Sequence, residues 1–299
     1  VYKKCLPDTL SWRTAMGYRE KYVNYYLRHP SYADYPVVGV SWLQANDFCK
    51  WRTDRVNEAI LVREGILKWH FADEGSTDVG AANDANYDKR FASVPQNMFS
   101  TENYLNGNYT VESEGGYVMN KDNKPKAKVD SKTKRSVPRD PYQLEIYDPI
   151  YADLDNGRLG TRAVRMEDGI LLPSYRLPTE AEWEFAAKGG SLSKGFKYSG
   201  SNTLDQIAWH KGNSKGTPHT IGTKLPNELG LYDMSGNVWE WCWDWYNKDF
   251  YKQEKGDNPR GPEMGDRRSV RGGSWDSHPN YVRPANRIST EPNKTHEFY

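Results

Sequence analysis

Apolar residues fall at helical spacing in two stretches of this chain. Trp42, Ala45, Cys49, Val56 and Ile60 form one stripe behind Ser41 and Gln44, whose S-x-x-Q spacing is that of a capping box. This predicts a helix over residues 42–64 with the stripe against the core. Just before it, Tyr35-Pro36-Val37-Val38-Gly39-Val40 is short, β-branched and led by proline, as in a strand or an extended entry. The second stretch is Leu177-Pro178-Thr179-Glu180-Ala181-Glu182-Trp183-Glu184-Phe185-Ala186-Ala187-Lys188-Gly189-Gly190. Thr179 and Glu182 repeat the capping box, acidic Glu180, Glu182 and Glu184 complement the helix dipole, and Gly189 stands where a helix stops. The two helices differ in sequence, so they are not an internal repeat.

Elsewhere the pattern is irregular. From about residue 71 to 140 the chain turns to Asn, Asp, Gly, Ser, Thr and Lys, and residues 121–135 hold seven basic and two acidic side chains. This reads as a polar, solvated insertion, with a lysine-rich docking loop as the other reading. After Gly190 short aromatic segments alternate with turn residues such as Gly212-Asn213, Pro226-Asn227, Gly236-Asn237, Gly261-Pro262 and Gly272-Gly273, which predicts short strands and structured loops.

Composition explains where a core would come from. Hydrophobic residues make up 36% of the 299, below the roughly 45% of an average globular chain. The apolar surface is concentrated instead in 11 Trp, 21 Tyr and 8 Phe. A formal charge of +1 disfavours nucleic acid or an anionic membrane as partner. No run approaches the ~18 apolar residues of a spanning helix. The first residue is Val1 rather than an initiator Met, so the chain is expected to be processed or incomplete at its start, and any signal peptide or lipid anchor would lie upstream. Three scattered cysteines, Cys5, Cys49 and Cys242, make neither a disulfide framework nor a CxxC metal site.

Strong catalytic motifs are missing: there is no phosphate loop, GxGxxG, HExxH, GxSxG or EF-hand pattern. The richest segment is Gly230-Leu231-Tyr232-Asp233-Met234-Ser235-Gly236-Asn237-Val238-Trp239-Glu240-Trp241. Asp233 and Glu240 flank a Gly-Asn turn, so carboxylates and backbone carbonyls could converge on calcium, which prefers oxygen. The competing reading is a tight turn with Trp239 and Trp241 on one face of a strand. In Val270-Arg271-Gly272-Gly273-Ser274-Trp275, the glycines point to close backbone packing.

Four of these blocks in order resemble the formylglycine-generating enzymes and their sulfatase-modifying-factor relatives. They are Pro36 to Trp42 leading to Ala45, Phe48 and Cys49; Tyr175 to Glu184; Asn227 to Trp241; and Arg271 to Trp275 with Arg283 and Arg287. The resemblance implies one sulfatase-modifying-factor-like domain over 1–299, incomplete at both ends and interrupted by the 71–140 insertion. Its fold would be α+β and mostly irregular, related to C-type-lectin-like folds, with two main helices and short strands. In the enzymes two redox-active, copper-binding cysteines follow the Gly-Gly-Ser turn; here the first aligns with Ser277 and the second falls near Val282. A hydroxyl and an alkyl group supply no thiolate, so the expectation is no copper and no enzymatic activity. Ser274 and Trp239 match positions that line the enzymes' active site. One calcium site carries over, with the side chains of Asp233 and Glu240 and the carbonyls of Gly236 and Val238 as ligands.

Within the family, Pro7 to Arg13, Tyr26 to Pro36 and Trp51 to Glu58 resemble the gliding-motility lipoproteins of Bacteroidetes, the J type more than the K type. That resemblance implies a scaffold protein of the gliding and type IX secretion machinery, lipid-anchored at the periplasmic face of the outer membrane. Its partners would be the other lipoproteins and translocon components of that apparatus. The alternative is a metal-dependent oxidase or other modifying enzyme on the same fold, with a metal held by His210, His219 and His278. A third class, a carbohydrate-binding module, follows from the abundant Trp and Tyr.

Overall fold

The computed structural model describes residues 5–14, 17–64, 67–68, 99–106, 118–119, 165–253, 256–296 and 298. Most of the 71–140 insertion, including its lysine-rich stretch, lies outside the described residues. Two compact units form, one of residues 1–50 with 176–299 and one of residues 51–175. No described helix is long and apolar enough to cross a membrane.

The first unit begins with a small hairpin, β1 (Arg13–Thr14) with β2 (Gly17–Tyr18), and helix α1 (Glu20–Tyr25). Trp12, Val23, Tyr26, Val38 and Trp275 are buried together, with Tyr22, Tyr32, Tyr35 and Phe298 around them. Their rings sit 4.7–6.0 Å apart in tilted and edge-on pairs, the geometry that aromatic quadrupoles favour. The 35–40 segment joins no ladder, bends at Gly39 (φ 74°) and leads into helix α2 (Trp42–Arg63). The expected capping box is present there: the Gln44 N–H donates to Ser41 Oγ (3.2 Å) and the Ser41 N–H to Gln44 Oε1 (2.8 Å).

The second unit contains α2 from Trp51 onward, helix α3 (Thr101–Leu105), the paired strands β3 (Leu67–Lys68) and β4 (Val118–Met119), and residues 165–175. Here the structure departs from the predicted stripe. Val56 and Ile60 are half-buried, whereas Thr53, Asn57, Glu58 and Leu61 are buried. The reason is hydrogen bonding. Thr53 Oγ1 accepts from the Tyr175 N–H (2.8 Å), Asn57 bonds both the N–H and the carbonyl of Leu172 (2.9 and 3.2 Å), and Asp54 accepts from the Thr101 N–H (2.8 Å). Irregular segments carry backbone groups without ladder partners, and polar helix side chains satisfy them.

Back in the first unit, helix α4 (Glu180–Ala187) carries the second capping box, with Glu182 N–H on Thr179 Oγ1 (3.2 Å) and Thr179 N–H on Glu182 Oε2 (2.8 Å). A short helix α5 (Leu204–Ile207) follows. The sheet consists of β5 (Glu240–Trp245), β6 (Arg268–Arg271) and β7 (Ile288–Thr290), antiparallel in that order, with helix α6 (Phe250–Gln253) between the first two strands. Trp241 faces Val270 across the ladder, and Val270 faces Ile288. Trp241 and Val270 pack with Trp42. The Arg268 guanidinium lies 3.7 Å from the Trp42 ring centre and 3.5 Å from that of Trp245, so a cation fills the gap between two indoles.

The charges of α4 do more than complement a dipole. Glu180 is 0% exposed, accepts from Arg287 at 2.6 and 2.8 Å and from the Ser269 hydroxyl at 2.9 Å, and lies 3.2 Å from the equally buried Arg271. Arg271 also pairs with Glu184. Across the sheet, Asp244 Oδ2 accepts the Glu180 N–H at the helix start (2.7 Å). Replacing Glu180 by Ala takes one of two carboxylates from Arg271 and the carboxylate that Arg287 holds, and is expected to cost about 3–5 kcal/mol in urea unfolding. Burial pushes the Asp244 carboxyl up to about 6, above the ordinary ~3.9. A raised folded value means that this group's contribution is fullest below about pH 4 and declines as pH rises through 6. Asp244→Asn keeps an acceptor for the helix start, so its stability curve should be flatter between pH 4 and 7, as unfolding midpoints at several pH values would measure.

Candidate cation site

The segment 226–240 folds as a chain of turns. Asn227 organises the first: its Oδ1 accepts the N–H groups of Leu229 and Leu231 (3.0 and 3.1 Å). Four residues of the segment take left-handed backbone angles, Gly230 (φ 77°), Asp233 (φ 58°), Gly236 (φ 83°) and Asn237 (φ 63°). Asp and Asn tolerate that region better than other side chains. At 236 only glycine serves, because a Cβ would lie 2.1 Å from the Trp209 carbonyl oxygen.

Asn237 locks the turn from four directions. Its N–H donates to the Trp209 carbonyl (2.8 Å), its carbonyl accepts from the Trp275 N–H (2.7 Å), and its side chain bonds both backbone groups of His219 (3.1 Å each). The Gly236 N–H donates to the Gly272 carbonyl (2.9 Å), so the turn is tied to the Gly272-Gly273 loop.

A pocket of about 330 Å³ opens beside this turn, lined by Pro36, Ile221, Gly222, Tyr232, Asp233, Asn237, Val238 and Glu240. Three of the four residues expected to hold calcium, Asp233, Val238 and Glu240, are thus brought to one pocket. Gly236 is not part of its wall. Asp233 Oδ2 accepts from the Gly222 N–H (2.8 Å), while its Oδ1 is buried without a hydrogen-bond partner. Glu240 Oε2 accepts from the Trp183 indole N–H at 2.6 Å. The carbonyls of Gly236 and Val238 receive no hydrogen bond from the described residues.

Burial raises the Asp233 carboxyl above the ordinary range. Burial also pushes Glu240 up to about 7, with the Trp183 hydrogen bond opposing and the nearby Asp233 adding to the rise. Two carboxylates that repel each other, one with an orphaned oxygen, together with free carbonyls, form an all-oxygen donor set. That set fits calcium. The side chains of Asp233 and Glu240 and the two carbonyls would hold the ion, which would supply charge and tie the turn to the start of β5.

The other candidate residues lie apart from the pocket. Ser274 and Ser277 are buried with their hydroxyls 3.2 Å apart, and Val282 is buried against Tyr198, Ile207 and Ala208. A Cβ at Gly273 would fall 2.6 Å from Val282 Cγ1, so the second glycine serves packing, as expected. His210 bonds Asp205 (2.8 Å), His219 stacks 3.7 Å from the Trp209 ring, and His278 accepts from the Asn280 N–H. Among the described residues no three His, Cys, Asp or Glu gather in metal-holding positions. The pocket's Ile221, Tyr232 and Pro36 and the hydrogen bond from Trp183 were not legible beforehand. The Gly236-Asn237 pair marked the turn, but nothing in the segment marked the partners.

The family model of the sulfatase-modifying factor enzyme 1-like domain, FGE-sulfatase, matches residues 2–299. The chain belongs to this family. Its few helices and small antiparallel sheet are the FGE-like α+β fold expected from the sequence. Over 123 residues this FGE-sulfatase chain is 43% identical to chaperone protein LppX of Paenibacillus barcinonensis, covering 36% of this chain and 40% of that one. It is 41% identical over 123 residues to the formylglycine-generating enzyme of Thermomonospora curvata, with the same two coverages. Treponema denticola variable protein 1, a solved structure, aligns at 42% identity over 41% of this chain and 44% of that chain, with a TM-score of 0.37. The matches thus span less than half of each relative.

The enzyme names among these relatives correct one expectation. Absence of activity was inferred from Ser277 and the position near Val282, yet relatives of this FGE-sulfatase chain are named formylglycine-generating enzyme. The physical fault lies in the breadth of the inference. Losing two thiols removes thiolate chemistry at those positions and says nothing about hydroxyl, carboxylate or imidazole groups elsewhere.

With calcium chelated, the raised Glu240 value means stability declines as pH climbs from about 4 through 7. Saturating calcium is expected to raise the melting temperature at pH 7.5 and flatten that decline. At 100 times its Kd the ion adds about 2.7 kcal/mol. Thermal melts in EDTA and in calcium across pH 5–8 test this, and Asp233→Ala should abolish the difference.

Proposed function

We propose that this FGE-sulfatase protein handles protein partners within the gliding-motility and type IX secretion machinery. In this reading a lipid anchor upstream of residue 1 holds it at the periplasmic face of the outer membrane, and calcium is its structural ion. One observation carries the proposal: the blocks Pro7 to Arg13 and Tyr26 to Pro36, which resemble the gliding-motility lipoproteins, contribute to the core of the fold. Trp12 and Tyr26 share a core with Trp275. The Asp34 carbonyl accepts from the Ile221 N–H (2.9 Å), and Pro36 lines the cation pocket. A family-specific block that shapes the pocket supports a function specific to that subgroup. A relative named as a chaperone supports work on other proteins. The formal charge of +1 favours protein over nucleic-acid partners.

A second reading is favoured by the relatives named formylglycine-generating enzyme: modification of a protein substrate on the same fold. The buried hydroxyl pair Ser274 and Ser277 lies in the loop where the resemblance sets the enzymes' reaction. Crosslinking of the full-length protein in native outer membranes, with mass spectrometry of what it captures, separates the two. Stable recovery of type IX secretion components is the expected result. Recovery of only transient, substrate-like proteins would overturn the first reading in favour of modification.

A further inference from the structure

Glu240 offers its carboxylate to the cation pocket from the first position of β5, and a glutamate there has three rotatable bonds to fix before it can serve as a ligand. One contact fixes it. The Trp183 indole N–H donates to Glu240 Oε2 at 2.6 Å, and Glu240 Oε1 takes no hydrogen bond from the described residues. Trp183 itself is held on every side: it is 2% exposed, packs with Ala187, Cys242 and Met234, and lies under Gly272, where a Cβ would meet its ring at 3.3 Å. The Arg271 guanidinium stands 5.4 Å from the ring centre. Indole has one donor and no acceptor, so in this locked position it can serve only the carboxylate.

We propose that Trp183 is a positioning residue for the cation, aiming the Glu240 carboxylate through its N–H and joining the cation pocket to the buried ion pairs of Arg271. The proposal rests on the reading of the pocket as a calcium site and extends it to a residue on a different element. Groups that orient a metal's ligands typically change affinity by about 10- to 100-fold when removed. The ring also fills core space, so loss of packing and loss of the N–H must be separated.

The test uses the full chain with wild-type Trp183, with Trp183→Phe, and with Trp183 replaced by 3-benzothienylalanine, which keeps the bicyclic shape and lacks the N–H. Calcium affinity is read by titration calorimetry, Tb³⁺ binding by sensitised luminescence, and stability by melting in EDTA. The expected result is calcium affinity about 10- to 100-fold weaker in both variants, with the benzothienyl protein melting near wild type in EDTA. Wild-type affinity in the benzothienyl protein would overturn the positioning role while leaving the calcium site standing. No calcium or Tb³⁺ binding by the wild type would overturn both. Should Trp183→Phe fail to fold, the benzothienyl variant alone decides between these outcomes.

Discussion

Glu180 and Arg271 lie 3.2 Å apart with neither side chain reaching solvent, and every element of the sheet is arranged around that pair. Taking two ions out of water is costly, and the cost is offset only where the remaining donors and acceptors are filled. Here most are met from separate places: Arg287, close to the start of β7, and Ser269 on β6 donate to Glu180, Glu184 one turn along α4 pairs with Arg271, and Asp244 accepts the helix's own first N–H. Each partner comes from a different stretch of sequence. The network therefore acts as a specification of which segments meet, in a protein whose short strands could not specify it by ladder hydrogen bonds alone.

The candidate cation pocket is attached to this network through one indole. Trp183 touches Arg271 on one side and Glu240 on the other, and the Gly236 and Asn237 backbone bonds continue the connection into the 272–275 loop. Asp233 and Asn237 hold left-handed backbone angles without being glycine, and such strain persists where surrounding bonds over-determine it. Asn237 supplies that over-determination by spending all its polar groups on its neighbours. An ion between Asp233 and Glu240 would remove the repulsion that this arrangement otherwise stores.

Helix boundaries were legible because they are local. The boxes Ser41/Gln44 and Thr179/Glu182 and the stop at Gly189 depend on residues within four positions of one another, and all are present in the structure. The buried face of α2 was misread from Val56 and Ile60, since its partners are backbone groups near Tyr175 and Thr101, about 50 to 120 residues away. The expectation that no enzyme could be built here failed for a related reason: it took two positions for the whole site.

By itself the sequence determined the two capped helices, the aromatic source of the core, the glycine at 236 and the oxygen-bearing residues around it. All of these follow from short-range stereochemistry or from side-chain type. Only the tertiary structure decided that Trp183 would hold Glu240, that Pro36 and Ile221 would wall the pocket, and that Glu180 would be buried with two arginines. Those pairings join residues tens to hundreds of positions apart. Hydrophobic patterning says which residues leave water, but the partner each polar group finds there is set by geometry that exists only once the chain has closed.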